Sequence, residues 1–174
     1  FGDREFLDIS KDKALSDLQD LLSLKAIPAR IEGYDISHQS GKDVVASMVV
    51  FTNGVSDRAE YRKFKAKNQR NDDTGNMFET VCRRFSGKNI KAWGMPNLLL
   101  IDGGKGQLKA AIKAMKQQDV HVPVISIAKR EEEILIHRTE SNIDITALEK
   151  LQQTPIPGVG VFDEGEYIVL NLHV

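Results

Sequence analysis

The sequence predicts an α/β domain: a mixed sheet of three antiparallel strands leading into a parallel β-α-β unit, with helices on its flanks. Three observations predict it. Pro96–Gln107, PNLLLIDGGKGQ, runs from an apolar stretch through an aspartate and a glycine turn into a helical repeat of Leu108, Ala111, Ile112 and Met115. Upstream, two strand-like runs and a basic third follow one another with short connections, the pattern of an antiparallel meander. Downstream, strand and helix patterns alternate, as in parallel sheets. A chain of 174 residues that is 41% hydrophobic can bury a core of this kind as one domain.

In chain order, Leu15, Leu18, Leu21 and Leu22 share one face of a helix over Lys11–Leu24, capped by Ser10 and ended before Pro28. Residues 1–29 read as this helix and a linker, and 30–174 as the main domain. Ile31–Ser37 and Val44–Phe51 read as strands, Asn53-Gly54 as the turn after them, and Arg58–Lys67 as the third strand. Asp72-Asp73 cap a helix with Met77, Phe78, Val81, Cys82 and Phe85 on one stripe. Leu98–Ile101 is a strand buried on both faces, Gly104–Lys116 its helix, and Val122–Ala128 the next strand. Beyond Lys129 the pattern thins. Glu131, Glu132 and Glu133 form an acidic knot before ILIHR, Thr154–Gly160 is a loop, and VFDEGEYIVLNL reads as strand. The string IPGVG looks like the hairpin of a helix-hairpin-helix module, but no second helix follows, so it reads as a turn.

Composition narrows the function classes. No segment has the apolar length of a membrane span, and no signal peptide is visible. A single cysteine, Cys82, excludes a disulfide framework and suits a reducing cytosol. A chain that opens on Phe1 is expected to belong to something longer. The net charge of −1 excludes a bulk basic nucleic-acid binder, so contact with nucleic acid has to come from local patterning. The glycines and Lys105 do not meet the G-x-x-x-x-G-K-[ST] spacing of a phosphate loop.

The candidate chemistry lies in two aspartates. Asp102 ends the apolar strand at the sheet edge where open α/β folds place ligands. Asp35 sits inside an apolar strand, where an unpaired carboxylate costs several kcal/mol, so it must meet a metal, a cation or a cleft. If the two strands are neighbours, both carboxylates reach one edge and suit Mg²⁺ or Mn²⁺. Pairing of Asp35 with a buried arginine, or a turn cap, is an equal alternative. Asp73 reaches toward the site or caps its helix. His38 points away from Asp35 by strand alternation and reads as a packed or hydrogen-bonded histidine rather than a ligand. His121 and His137 read as surface. Arg58, Arg62, Lys63, Lys65, Lys67 and Arg70 form a basic run with Tyr61 and Phe64 between them. Lys105, Lys109, Lys113 and Lys116 form a second stripe. The first run is the candidate DNA face, with Lys105 a candidate phosphate contact at a helix start.

The strings RIEGYDISHQSG, VVASMVVFTNG, AEYRKFK, NDDTGNMFETVCRRF, PNLLLIDGGKGQL and VPVISIAKREEE resemble, in this order, the C-terminal endonuclease region of the UvrC family. The resemblance runs from about Ala14 to about Glu133. It implies a ribonuclease H-like fold and incision of damaged double-stranded DNA on the 5′ side of the lesion, after UvrA has loaded UvrB. It implies Asp35 and Asp102 as the metal-binding pair and Asp73 as the second aspartate of a DDY motif, with Thr74 where tyrosine is usual. The family's catalytic histidine lies in an RDExHRFA motif that this sequence does not contain. His173 matches a segment just upstream of it, and the chain is expected to stop short of that residue. Ile143–Gly165 has no segment assigned to it by this resemblance. A repair nuclease resembling endonuclease V, or a non-catalytic docking domain, are the rival expectations.

Overall fold

The computed structural model describes residues 22, 28–39, 43–66, 72–154 and 157–171. The helix expected over Lys11–Leu24, Lys67, Arg70 and His173 fall outside them, apart from Leu22, which is buried. The strands are β1 (Arg30–Gln39), β2 (Asp43–Thr52), β3 (Val55–Ser56), β4 (Arg62–Lys65), β5 (Leu98–Asp102), β6 (Val124–Ala128), β7 (Glu133–His137), β8 (Gly160–Glu164) and β9 (Tyr167–Asn171). The helices are α1 (Asp73–Arg84), α2 (Gly87–Trp93), α3 (Lys105–Gln117) and α4 (Thr146–Gln153). All the strands join one sheet in the order β3-β2-β1-β5-β6-β7-β9-β8, with β4 also on β2.

β1 and β2 are antiparallel, while β1, β5 and β6 run parallel, as the sequence predicts. The third strand differs from expectation. Asn53 and Gly54 both take positive φ, which turns the chain tightly back onto β2. A 3₁₀ turn at Arg58–Glu60 then splits the returning segment, and β3 and β4 pair with separate parts of β2. The short helix α2 was not anticipated. Ser86 caps it by accepting from the Asn89 N–H, and Gly94 ends it at φ 72°. In the C-terminal region the stretch VFDEGEYIVLNL, which reads as one strand, folds as the β8–β9 hairpin, and β7 and α4 carry no assignment from sequence; β7, β9 and β8 widen the sheet by three antiparallel strands.

Strand alternation gives the sheet two apolar faces. Tyr34, Met48, Phe64, Leu99 and Ile101 face α1 and α3, where they meet Met77, Val81, Leu108, Ala111, Ile112 and Met115. Ile31, Phe51, Leu98, Leu100, Ile125 and Ile127 form the opposite face with Leu148 of α4 and Leu22. Leu98–Ile101 are all 0% exposed, each burial being worth about 1.5–3 kcal/mol, so β5 is the sheet's apolar spine. His137, read as surface from sequence, is buried. Its Nδ1 accepts from the N–H of Glu140, and its ring meets Tyr167 edge-on at 5.2 Å. His121 is on the surface as expected.

Candidate active site

The parallel register of β1 and β5 pairs Tyr34 with Ile101, so one step on Asp35 lies beside Asp102. Both carry the parity of the face opposite α1 and α3: Asp102 follows Leu98 and Leu100, and Asp35 follows Ile31. The two carboxyls are close enough to hydrogen-bond. Burial pushes the Asp35 carboxyl above its usual 3.8, and the neighbouring Asp102 pushes it further. After Asp102 the chain turns at Gly103, whose φ of +151° lies in glycine's territory. A Cβ there would stand 2.8 Å from Gln107 Cβ. The turn starts α3 at once and fixes Asp102 at the strand tip.

Lys129, not singled out from sequence, completes the cluster. Its ammonium lies 3.2 Å from Asp102 Oδ2, with side-chain exposures of 29% and 20%. The signal was present in the alternation Ile125, Ile127, Lys129, which carries the face of Asp102 one residue beyond β6.

Asp73 goes elsewhere. Asp72 takes the N-cap, accepting from the Gly75 N–H at 3.1 Å, and leaves Asp73 in the first turn. There Asp73 Oδ1 lies 3.1 Å from His38 Nε2, at the far end of β1 and with the opposite parity to Asp35. His38 is thus hydrogen-bonded, as its position predicts. Among the described residues no three His, Cys, Asp or Glu side chains gather as a metal group. Thr74, where the family usually has tyrosine, donates to Asp72 Oδ1 and sets its methyl against Gly106 of α3.

The basic residues divide. On β4, Lys63 and Lys65 are exposed, with Lys65 3.8 Å from Asp43. Arg62 turns the other way. It donates to the carbonyls of Ala59 and Tyr61 and stacks over Trp93 at 5.1 Å. Lys105 donates to Glu164 at 2.9 Å and lies over the Tyr167 ring. Lys109 and Lys113 line a groove of about 510 Å³ between α1 and α3, on the helix side of the sheet.

The sheet order and the adjacent carboxylates at parallel strand tips define the class: a ribonuclease H-like domain of nuclease type. Residues 19–155 match the family described as the UvrC RNAse H endonuclease domain, and the chain belongs to that family. The UvrABC system protein C of Carboxydothermus hydrogenoformans is 43% identical over 146 residues, covering 78% of this chain and 24% of that protein. The protein of the same name from Deinococcus radiodurans is 46% identical over 123 residues, covering 70% and 20%. The chain therefore spans about a quarter or less of the length of these relatives. Among solved structures it is similar to a Ciona intestinalis endonuclease V in complex with a 24mer DNA containing an inosine followed by a ribo-adenosine. That likeness has a TM-score of 0.45 and 13% identity, over 84% of this chain and 72% of the other.

Proposed function

We propose that this chain is the endonuclease domain that makes the 5′ incision of nucleotide excision repair, hydrolysing a DNA phosphodiester beside a lesion. The observation that carries the reading is the adjacency of Asp35 and Asp102 at the tips of parallel strands. Two half-buried carboxylates pressed together call for a cation, and their hard oxygens fit Mg²⁺ or Mn²⁺. Asp35 and Asp102 would hold the ion, which supplies charge neutralisation at the phosphate and activation of water. Water adds to phosphorus, the bond to the 3′-oxygen breaks, and that oxygen takes a proton, leaving a 3′-hydroxyl and a 5′-phosphate. Asp73 assists by holding the His38 ring at the end of β1. Arg62, Lys63, Lys65 and Lys105 are the proposed DNA-positioning side chains; Arg62 acts through the packing of the β4 edge, and Lys105 by exchanging Glu164 for a phosphate.

The partners proposed are damaged duplex DNA and UvrB, with UvrA acting earlier, in the cytosol. Among the described residues no helix is long and apolar enough to cross a membrane. The test grafts this chain in place of the corresponding segment of the Deinococcus radiodurans relative and supplies UvrB-loaded damaged DNA. The expected result is a metal-dependent nick on the 5′ side of the lesion that Asp35→Asn and Asp102→Asn abolish. Equal nicking by either variant, or nicking that needs no UvrB, overturns the reading.

A further inference from the structure

Charge at the site is not balanced by carboxylates alone. Asp35 and Asp102 sit together, and Lys129 Nζ lies 3.2 Å from Asp102 Oδ2 on the same face of the sheet. Among the described residues no third carboxylate, histidine or cysteine joins them. Two divalent ions, the usual arrangement at about 3.5–4 Å in many phosphoryl-transfer sites, would find among the described residues two carboxylates to hold them and an ammonium repelling them.

We propose that the Lys129 ammonium is the second cation of this site: Asp35 and Asp102 take one divalent ion, and Lys129, anchored on Asp102, meets a non-bridging oxygen of the DNA phosphate. The proposal rests on the reading of Asp35 and Asp102 as metal ligands and adds a substrate-contacting residue to them. β6 supplies the means. The strand pairs in parallel with β5 as far as Asp102 opposite Ile127, so the next residue of the same parity is delivered beside the carboxylate from a rigid element. A lysine is suited to this because its ammonium is a compact point charge that can turn from carboxylate to phosphate without leaving the cluster.

The experiment is a Mn²⁺ titration by calorimetry on the chain and on Lys129→Met, Lys129→Gln and Lys129→Arg, with folding followed by circular dichroism. The unmodified chain should bind one Mn²⁺. Lys129→Met and Lys129→Gln should bind it about tenfold more tightly, because a competing positive charge has gone. In the grafted relative the same two variants should lose about 10²-fold in kcat, and Lys129→Arg should recover most of it. Two Mn²⁺ per chain, or neutral variants whose affinity and kcat are unchanged while thermal stability falls, overturn the proposal and leave Lys129 a structural ion pair. Asp102→Asn separates the two readings. If it abolishes Mn²⁺ binding while Lys129→Gln changes nothing, only the second-cation role fails. If Asp102→Asn binds Mn²⁺ normally, the metal-ligand reading itself has failed.

Discussion

Glu32 and Asp35 stand three residues apart on β1, both acidic and both inside a strand, yet their surroundings are opposite. Glu32 is fully buried and fully partnered: Oε1 accepts from Arg84 Nε at 2.8 Å and Tyr34 Oη at 2.6 Å, Oε2 from Arg84 Nη2 at 2.8 Å and Arg30 Nε at 2.9 Å. Burial alone would push its carboxyl up, but Arg84, then Tyr34 and Arg30, hold it below its usual 4.5. Asp35 lies on the other face, where burial and Asp102 both push its carboxyl up. The fold surrounds the first charge with cationic donors and brings the second beside another carboxylate. The first acid is held by two arginines and a tyrosine inside the fold. The second stands beside another acid at a strand tip, with Lys129 on that neighbour.

The sharpest way to break this contrast is Arg84→Met. Losing both Arg84 hydrogen bonds leaves Glu32 buried with Tyr34 and Arg30 alone and should cost roughly 3 kcal/mol, lowering the thermal midpoint by about 10 °C. Adding Glu32→Gln should restore part of the loss, since a buried amide needs less compensation than a carboxylate that has lost its main partner; urea or thermal unfolding of the pair against the single variant measures this. A midpoint that does not move for Arg84→Met would erase the distinction.

Next in size, Asp35→Asn or Asp102→Asn should remove incision, a loss of several kcal/mol in the barrier, while stability rises by about 1 kcal/mol for Asp35→Asn as repulsion is relieved and stays about level for Asp102→Asn, which also gives up the Lys129 ion pair. Destabilisation as large as that of Arg84→Met would make the aspartates structural too.

The third outcome is a pH effect. Glu32 titrates lower folded than unfolded, so its contribution is present above about pH 4.5 and fades as pH falls through the folded value. Thermal midpoints taken from pH 6 downward should fall in the unmodified chain, with a shallower slope in the Glu32→Gln, Arg84→Met double variant.

The smallest effect concerns the exposed face of β4. Neutralising Lys63 and Lys65 should weaken DNA binding of any sequence and flatten its salt dependence by about 0.9 per lost phosphate contact. Arg62→Gln should instead lower stability, because its guanidinium packs on Trp93. A salt slope unchanged in the lysine variants makes that edge a solvated surface.

Much of the site was legible because strand parity and an apolar spine are local. PNLLLID announced both β5 and the position of Asp102, and IEGYDIS did the same for Asp35. A buried arginine does sit on this sheet, but it pairs with Glu32. Nothing local links Glu32 to Arg84, which lie 52 residues apart and meet only once α1 has packed on the sheet. Lys129 was masked by the run of glutamates after it, which draws the eye to charge and away from alternation. In the C-terminal stretch strand character was legible but its division in two was not. β8 is an edge strand, largely exposed, with Phe162 turned to solvent, so it lacks the in-and-out pattern that would set it apart from β9 across the turn at Gly165.

The glycine pair after Asp102 also sets how freely this stretch can drift. At position 103 the positive φ and the closeness of Gln107 Cβ shut out every side chain. At position 104 the backbone is extended and nothing lies within 4 Å of an added Cβ, so many residues fit. In a saturation library scored for folding, two letters that look identical on the page would give one empty column and one well-filled column. The boundary between them falls one residue past the carboxylate tip.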